Sequence, residues 1–437
     1  MAPPCDAQLE EDDGFQLVGC KGRALPRRAR RNLAVKEAAA APAALPPREP
    51  KEGPTDQPAR SLQPRRPPWL HAQRPCLSVA PMMQWTDAHF RSFARLLTRR
   101  TLLFTEMVPA VAIVDAERDG SLAKLLAFEA AHRPMAVQIG GNSPATMARA
   151  ARLCAEAGFD EVNLNVGCPS AKVTTGGYGA CLMKKPELVR EIADAVVQAC
   201  SGRDGVAITV KHRLGVDDCD SWEELEAFVR KVASSGVTHF IVHARKALLG
   251  LLSCEGNRTI PPLKYNWVRS LVETFPGLTF ELNGGVQSLM EVSQLIAEAS
   301  FEGVMVGRAA YKTPWPLLSC ADSSVFGSED IGHSRQEVLD LYLDYAAGFF
   351  HSQQRAGQVS TSSAALEVEQ ALAAPVSYLF EDQTPVFRAV LLQEVAARET
   401  EDAAACRRSS SWLPPFLLRR AAAAALEATL KTPIACE

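Results

Sequence analysis

From Cys76 onward, short apolar runs of strand length recur eight times, with helical patterns between most of them. The runs cover residues 77–80, 102–105, 135–139, 162–166, 206–210, 240–242, 278–282 and 303–306. Between them, 145–157, 186–199, 222–234 and 289–299 carry the 3.6-residue apolar period of helices laid on a core. Pro144 and Pro186 stand where a first helical turn tolerates proline. Eight strands, most followed by a helix, over about 240 residues fit an α/β fold, the (β/α)8 TIM barrel. A doubly wound sheet would need fewer strands and a G-x-G-x-x-G after the first, which this chain lacks.

In such a barrel the functional side chains project from the C-terminal ends of the strands. Here every strand end carries a polar or glycine cluster. Pro81-Met82-Met83 follows the first run, Glu106 the second, and Gln138 with Gly140-Gly141-Asn142 belongs to the third. The fourth supplies Asn165 and Cys168, the fifth Lys211 and Arg213, the sixth His243 and Arg245. Asn283-Gly284-Gly285 and Gly307-Arg308 close the series. Any one of these could be a satisfied buried polar group; eight on one edge point to a site.

The fourth strand is the most informative. Val162, Leu164 and Val166 alternate with Asn163 and Asn165, then Gly167-Cys168-Pro169-Ser170 ends the strand. Pro169 has no N–H and a fixed φ, so the ladder stops there and the Cys168 thiol stands at a strand mouth. The glycine-rich stretch Gly176-Gly177-Tyr178-Gly179 is long enough to fold back over it. A lone cysteine is ordinarily a small buried hydrophobe; asparagines and glycines around this one suit ligand positioning better than core filling.

Composition excludes several classes. None of the twelve cysteines forms a C-x-x-C pair, and no H-E-x-x-H occurs among the eight histidines, so no metal site is expected. That usage fits a reducing, intracellular compartment. No run of about 18 apolar residues exists, so no membrane span is expected. The net charge of −3 is uneven: about +4 over residues 1–74, about 0 over 75–320 and about −7 over 321–437.

Residues 1–74 are rich in Ala, Pro and Arg and poor in aromatics, as a disordered extension is. An Arg- and Ala-rich leader also resembles a plastid or mitochondrial transit peptide, although Glu10-Glu11-Asp12-Asp13 is unusual for one, and a cytoplasmic protein with a basic RNA-holding tail is a third reading. Residues 75–325 make the barrel domain. A second, all-helical domain is expected over 333–431, with helices at 335–350, 363–373 and 421–431.

Together these residues resemble a family. Ala80-Pro-Met-Met, Asn163-Leu-Asn-Val-Gly-Cys-Pro-Ser, Val210-Lys-His-Arg, Val242-His-Ala-Arg, Asn283-Gly-Gly and Val306-Gly-Arg occur in the order found in the tRNA-dihydrouridine synthases. Gln84-Trp-Thr-Asp, Leu103-Phe-Thr-Glu-Met, Gly177-Tyr-Gly-Ala-Cys-Leu-Met and Asn257-Arg-Thr-Ile-Pro-Pro-Leu resemble the bacterial A-type group in particular. The resemblance spans about residues 76–330 and implies a barrel holding FMN, a helical tRNA-binding domain, NADPH as electron donor, and reduction of D-loop uridines, at positions 20 and 20a by A-type likeness, to 5,6-dihydrouridine. It implies cofactor contacts for Pro81, Met82, Met83, Gln138, Lys211, His243, Asn283, Gly284, Gly285, Gly307 and Arg308. Hydride would pass from reduced flavin to C6 of uracil, and Cys168 would give a proton to C5. Asn165 would contact the target nucleotide, and Arg213, Arg245 and Arg258 would meet uracil or phosphate. A monomer is expected.

The chain departs from the pattern at Glu255, where the A-type group has lysine in a segment that reads tRNA, and Cys254 and Gly256 are also unusual there. The helical region keeps only Tyr378-Leu379-Phe380, with Arg388 as the matching arginine, and its net acidity is unexpected for an RNA-binding domain. Two other readings compete: an FMN oxidoreductase acting on a free pyrimidine, and a tRNA-binding protein of the same fold that has lost catalysis. The first is disfavoured by the 163–170 block and the added helical domain, the second by the intact Cys168, Lys211 and His243.

Overall fold

The computed structural model describes residues 76–379 and Ala389, apart from 202–205, 300, 360 and 361. The N-terminal extension, Arg388 and the helix expected at 421–431 lie outside these residues. The described residues fall within one compact unit of the chain, Leu62–Glu437.

Eight parallel strands close into a barrel in sequence order: β1 Cys76–Val79, β2 Leu102–Pro109, β3 Met135–Gly140, β4 Glu161–Val166, β5 Ala207–Arg213, β6 His239–His243, β7 Thr279–Asn283 and β8 Gly303–Val306. Closure is direct, with Cys76 to Val79 paired one for one with Gly303 to Val306. Alternation on each strand separates two apolar regions. Val162, Leu164 and Val166 join the large shell between strands and helices. Cys76, Ala80, Leu102, Phe104, Ala136, Ile241 and Met305 form a small second cluster, with Met82 packed on it.

The helices form where the sequence marks their starts. Ser143 caps the helix Pro144–Glu156 by accepting from Thr146 N–H, and Ser221 and Glu224 make a capping box at Trp222–Ala233. Helix Pro186–Cys200 buries Val189, Ile192, Ala193, Val196 and Cys200, the apolar stripe its period requires.

Two strands run further than their apolar stretches. β2 continues to Pro109, with a register irregularity between Phe104 and Met107, and β5 continues to Arg213. Hydrophobicity stops earlier because Glu106, Lys211 and Arg213 are polar while their backbones still pair. A barrel rim is where ladder and apolar pattern part company.

After the barrel, helices Arg335–Arg355 and Ser362–Val376 pack beside the barrel helix Ala88–Arg95. The first of them starts at a Ser334–Glu337 capping box and runs past the 350 expected from its period. Tyr342 is fully buried, meets Phe93 edge-on at 5.7 Å and donates its hydroxyl proton to the Leu372 carbonyl at 2.8 Å. His89 Nδ1 bonds the Tyr345 hydroxyl at 2.9 Å. Burying each such large side chain contributes about 1.5–3 kcal/mol. No helix among the described residues is long and apolar enough to cross a membrane.

Candidate active site

Cys168 leaves β4 held by its backbone on both sides. Its N–H donates to Asn165 Oδ1 at 3.0 Å, and Gly167 N–H donates to the same oxygen at 3.1 Å. The Cys168 carbonyl accepts from Ala180 N–H at 2.9 Å, so the glycine-rich stretch does fold back against the strand end. At Gly179, with φ +75°, an added Cβ would lie 2.6 Å from the Cys168 carbonyl oxygen, a contact only glycine permits. Burial pushes the Cys168 thiol above its ordinary value; Cys254 adds to this, while Arg213 and Lys211 oppose it. The thiol is therefore protonated at neutral pH, which suits a proton donor and not a thiolate nucleophile.

Behind Cys168 the barrel interior is polar. Asn165 Nδ2 donates to Gln138 Oε1 at 2.7 Å and approaches Met107 Sδ at 3.2 Å. Gln138 Nε2 donates to Asn163 Oδ1, and Asn163 Nδ2 to Thr209 Oγ1, both at 2.8 Å. Thr209 donates in turn to Glu161. Lys211 stands one register step above Thr209 and gives a hydrogen bond to Asn283 Oδ1 at 2.9 Å, while Asn283 Nδ2 donates to the Met305 carbonyl at 2.8 Å. Desolvation, then Arg213, lowers the Lys211 ammonium to about 8, although its side chain still reaches open space at the mouth.

Positive charge gathers at this mouth. His243 is 8% exposed, and its pKa lies well below 6.5 because of burial and then Arg213, Lys211, Arg245 and Arg258 around it. Its imidazole is neutral. Arg308 in turn lies near Arg245 and Arg258 and depresses both, after desolvation. Among the described residues none of Arg213, Arg245, Arg258 and Arg308 makes an ion pair. Arg213 is buried and bonds the carbonyls of Gly167, Lys246 and Asn257 at 3.0, 3.1 and 2.9 Å, strapping the ends of β4, β5 and β6 together. Arg245 gives Nε to the Pro261 carbonyl at 2.7 Å. Arg258 is exposed and Arg308 half-buried, so these two face the opening.

The glycines after β7 are required by their surroundings. At Gly284 (φ +112°) an added Cβ would lie 2.4 Å from His243 Cδ2, and at Gly285 (φ +85°) 2.5 Å from Leu263 Cδ1. The Tyr265 hydroxyl fixes this turn through the Gly284 carbonyl at 2.6 Å. At Gly307 the same test meets only Ala80 and Met82, both at 3.8 Å, leaving an open cradle at the end of β8.

The structure thus brings Gln138, Asn165, Cys168, Lys211, Arg213, His243, Arg245, Arg258, Asn283, Gly284, Gly285, Gly307 and Arg308 to one end of the barrel, as the strand ends led one to expect. Met82 packs on the interior cluster beside half-buried Pro81. Met83 is 59% exposed and does not share that packing. Glu255 is exposed on the segment after β6; its charge acts on Arg258, without an ion pair between them. Arg388 lies outside the described residues. Read alone, the sequence places Asn163 in the β4 alternation but names no partner for it, and it assigns Thr209, Glu161 and Tyr265 no role. Asn163, Glu161 and Thr209 share a signal in the alternation of β4 and β5, which puts them on the inward face with Asn165 and Lys211; Tyr265 has none, because its partner is a backbone carbonyl.

A closed parallel barrel with a thiol, an ammonium and arginines that make no ion pair among the described residues, all at its C-terminal mouth, is the layout of a barrel enzyme. Comparison with known proteins takes this further: the family model for dihydrouridine synthase (Dus) matches residues 78–386, and the chain belongs to that family. Among curated relatives, the tRNA-dihydrouridine(20/20a) synthase of Synechocystis sp. is 44% identical over 284 residues, 65% of this chain and 82% of its own length. The protein of the same name from Pseudomonas aeruginosa is 46% identical over 262 residues, 60% of this chain and 76% of its own. That from Shewanella oneidensis is 44% identical over 268 residues, 61% and 76% respectively. Among solved structures, a 2-naphthoyl-CoA reductase complex matches with a TM-score of 0.43 and 10% identity, covering 56% of this chain and 49% of that one.

Proposed function

We propose that this protein reduces uridine in the D-loop of tRNA, at positions 20 and 20a, to 5,6-dihydrouridine, using FMN and NADPH. The observation that carries the reading is the Cys168 thiol fixed at the end of β4 by backbone bonds to Asn165 and Ala180, at a mouth it shares with Lys211 and with arginines that make no ion pair among the described residues. The names of the relatives support the substrate and the positions.

The residues fit FMN. Unpaired Arg308, with the open backbone at Gly307 and the left-handed turn Gly284-Gly285, suits a phosphate. Gln138 keeps an Nε2 proton for a ring acceptor, and Met82 offers an apolar wall. Pro81, Met83, Lys211, His243 and Asn283 complete the set that would hold it. Held there and reduced at the expense of NADPH, FMN would supply the hydride for C6 of the uracil.

The chain's own groups do the rest. Cys168 Sγ–H delivers the proton to C5, completing the addition of two hydrogens across one double bond. Lys211 places a positive charge where negative charge must be balanced. Neutral His243 offers a hydrogen bond without adding charge. Asn165 aligns the Cys168 backbone and faces the target nucleotide. Arg245 and Arg258, with Arg388 from beyond the described residues, meet tRNA phosphates, while Arg213 holds the rim in shape. The uracil has to leave its stack to reach the barrel mouth. The helical region after the barrel, 333–431, contributes to gripping tRNA.

Purified protein tests this reading. It should carry about one flavin per chain and oxidise NADPH; a colourless protein that neither binds FMN nor consumes NADPH would overturn it.

A further inference from the structure

The five interior side chains behind Cys168 form a hydrogen-bonded chain, with Asn163 also reaching the Glu161 carboxyl, and its direction is set at the rim. At the rim, the N–H groups of Gly167 and Cys168 can only donate, so Asn165 must turn its carbonyl oxygen to them and its amide nitrogen to Gln138. From that fixed end the order runs inward: Gln138 Nε2 donates to Asn163, Asn163 Nδ2 to Thr209, and the Thr209 proton goes to Glu161 Oε1. Thr209 has one proton, and accepting from Asn163 leaves it for Glu161. Turning over any single amide sets donor against donor and acceptor against acceptor in a site closed to water, since Asn163 and Thr209 are fully buried and Gln138 is 2% exposed.

We propose that Asn163 and Thr209 are positioning residues that fix the amide of Gln138, so that it offers bound cofactor an N–H of one defined direction. Its oxygen is tied to Asn165, one Nε2 proton is tied to Asn163, and the second is left for a ligand. The same chain seats Asn165, and through it the backbone of Cys168. The floor carboxyl acts as the anchoring acceptor. This inference rests on the FMN reading above for the ligand, but the order of the chain can be measured without any ligand.

Thr209→Val removes the hydroxyl with little change of shape, and Thr209→Ser restores it. In apoprotein labelled with ¹⁵N at Gln and Asn side chains, the Gln138 amide protons should be protected from exchange. Thr209→Val should speed that exchange at least about tenfold, and Thr209→Ser should bring it back. Titration with FMN should show about five- to tenfold weaker binding for Thr209→Val and near-normal binding for Thr209→Ser. Thr279→Val is the control: Thr279 also bonds a buried partner, His239 Nδ1 at 2.8 Å, but lies outside the chain, so Gln138 exchange should not change. If Thr209→Val does not fold, Thr209→Ala is read by the same two measurements.

Unchanged Gln138 exchange and FMN affinity in the hydroxyl-less variant would overturn the proposal, and so would equal loosening by Thr279→Val. Wild-type protein that shows the exchange pattern but binds no FMN would sink the cofactor reading and leave the hydrogen-bond order standing.

Discussion

Gly284→Ala is the substitution whose consequence is worked out most fully by the geometry. The backbone there has φ +112°, a region L side chains rarely adopt, and holding alanine in it costs about 1–3 kcal/mol. The new Cβ would also lie 2.4 Å from His243 Cδ2 and 2.8 Å from Nε2. To reach ordinary contact the ring must retreat by about 1 Å. It has little room, being 8% exposed, and Gly284 cannot move freely because its carbonyl is held by Tyr265. Strain and displacement together give about 2–4 kcal/mol, or a melting temperature lower by about 4–8 °C. FMN affinity should fall with it, because His243 is displaced. Gly120→Ala separates the two causes. Gly120 has φ +80° with nothing within 4 Å of an added Cβ, so it should cost only the about 1–2 kcal/mol of a left-handed residue and leave FMN affinity unchanged. Thermal melts of apoprotein and flavin titration of both variants decide the matter. If Gly284→Ala melts with wild type and binds FMN normally, or if Gly120→Ala loses as much flavin, the packing of His243 on this turn is not what requires glycine.

Three further expectations follow from the same coordinates. Cys168→Ala should keep FMN and NADPH oxidation but lose about 10²–10⁴-fold in dihydrouridine formation, and near-normal turnover on native tRNA would refute the proton-donor role. Burial, with Glu281 adding to it, raises the Glu161 carboxyl from 4.5 to about 8. Folded protein thus keeps a proton that unfolded chain has lost, and stability falls as pH rises from 4.5 to about 8. His89, His132 and His212, each lowered to about 4 chiefly by burial, give the opposite slope between about 4 and 6.5. Lys211 acts only above about 8, so the Glu161 contribution stands clear between pH 6.5 and 8. Glu161→Gln keeps an oxygen acceptor for Thr209 and should abolish that fall; an identical melting profile in the variant would contradict the assignment. On the rim, Glu255→Lys should tighten tRNA binding about fivefold and steepen the salt dependence of log K by about one, as for one added phosphate contact, whereas an unchanged affinity and slope would show that this segment does not meet phosphate.

The barrel was legible because its strands announce themselves by length and its site by where polarity interrupts them. Lys211, His243, Asn283 and Arg308 could each be placed on one rim from order alone. Limits appear where a side chain's role depends on a partner far away in sequence. Asn163 and Thr209 lie 46 residues apart and meet at 2.8 Å, so alternation places each inward without saying that they touch. Arg213 reads as a uracil or phosphate contact from its position, yet three carbonyls surround it. Apolar content places the ends of β2 and β5 earlier than pairing does. Tyr342 and Tyr345, inside a helix with an ordinary period, gave no hint that they dock on Phe93 and His89.

The central claim is that this chain turns D-loop uridine into dihydrouridine. It is tested most directly by incubating FMN-loaded protein and NADPH with tRNA from a strain lacking this enzyme, then mapping nuclease fragments by mass. The account predicts the mass of two added hydrogens on uridines at positions 20 and 20a. It is contradicted if flavin-replete, NADPH-oxidising protein leaves those uridines unchanged.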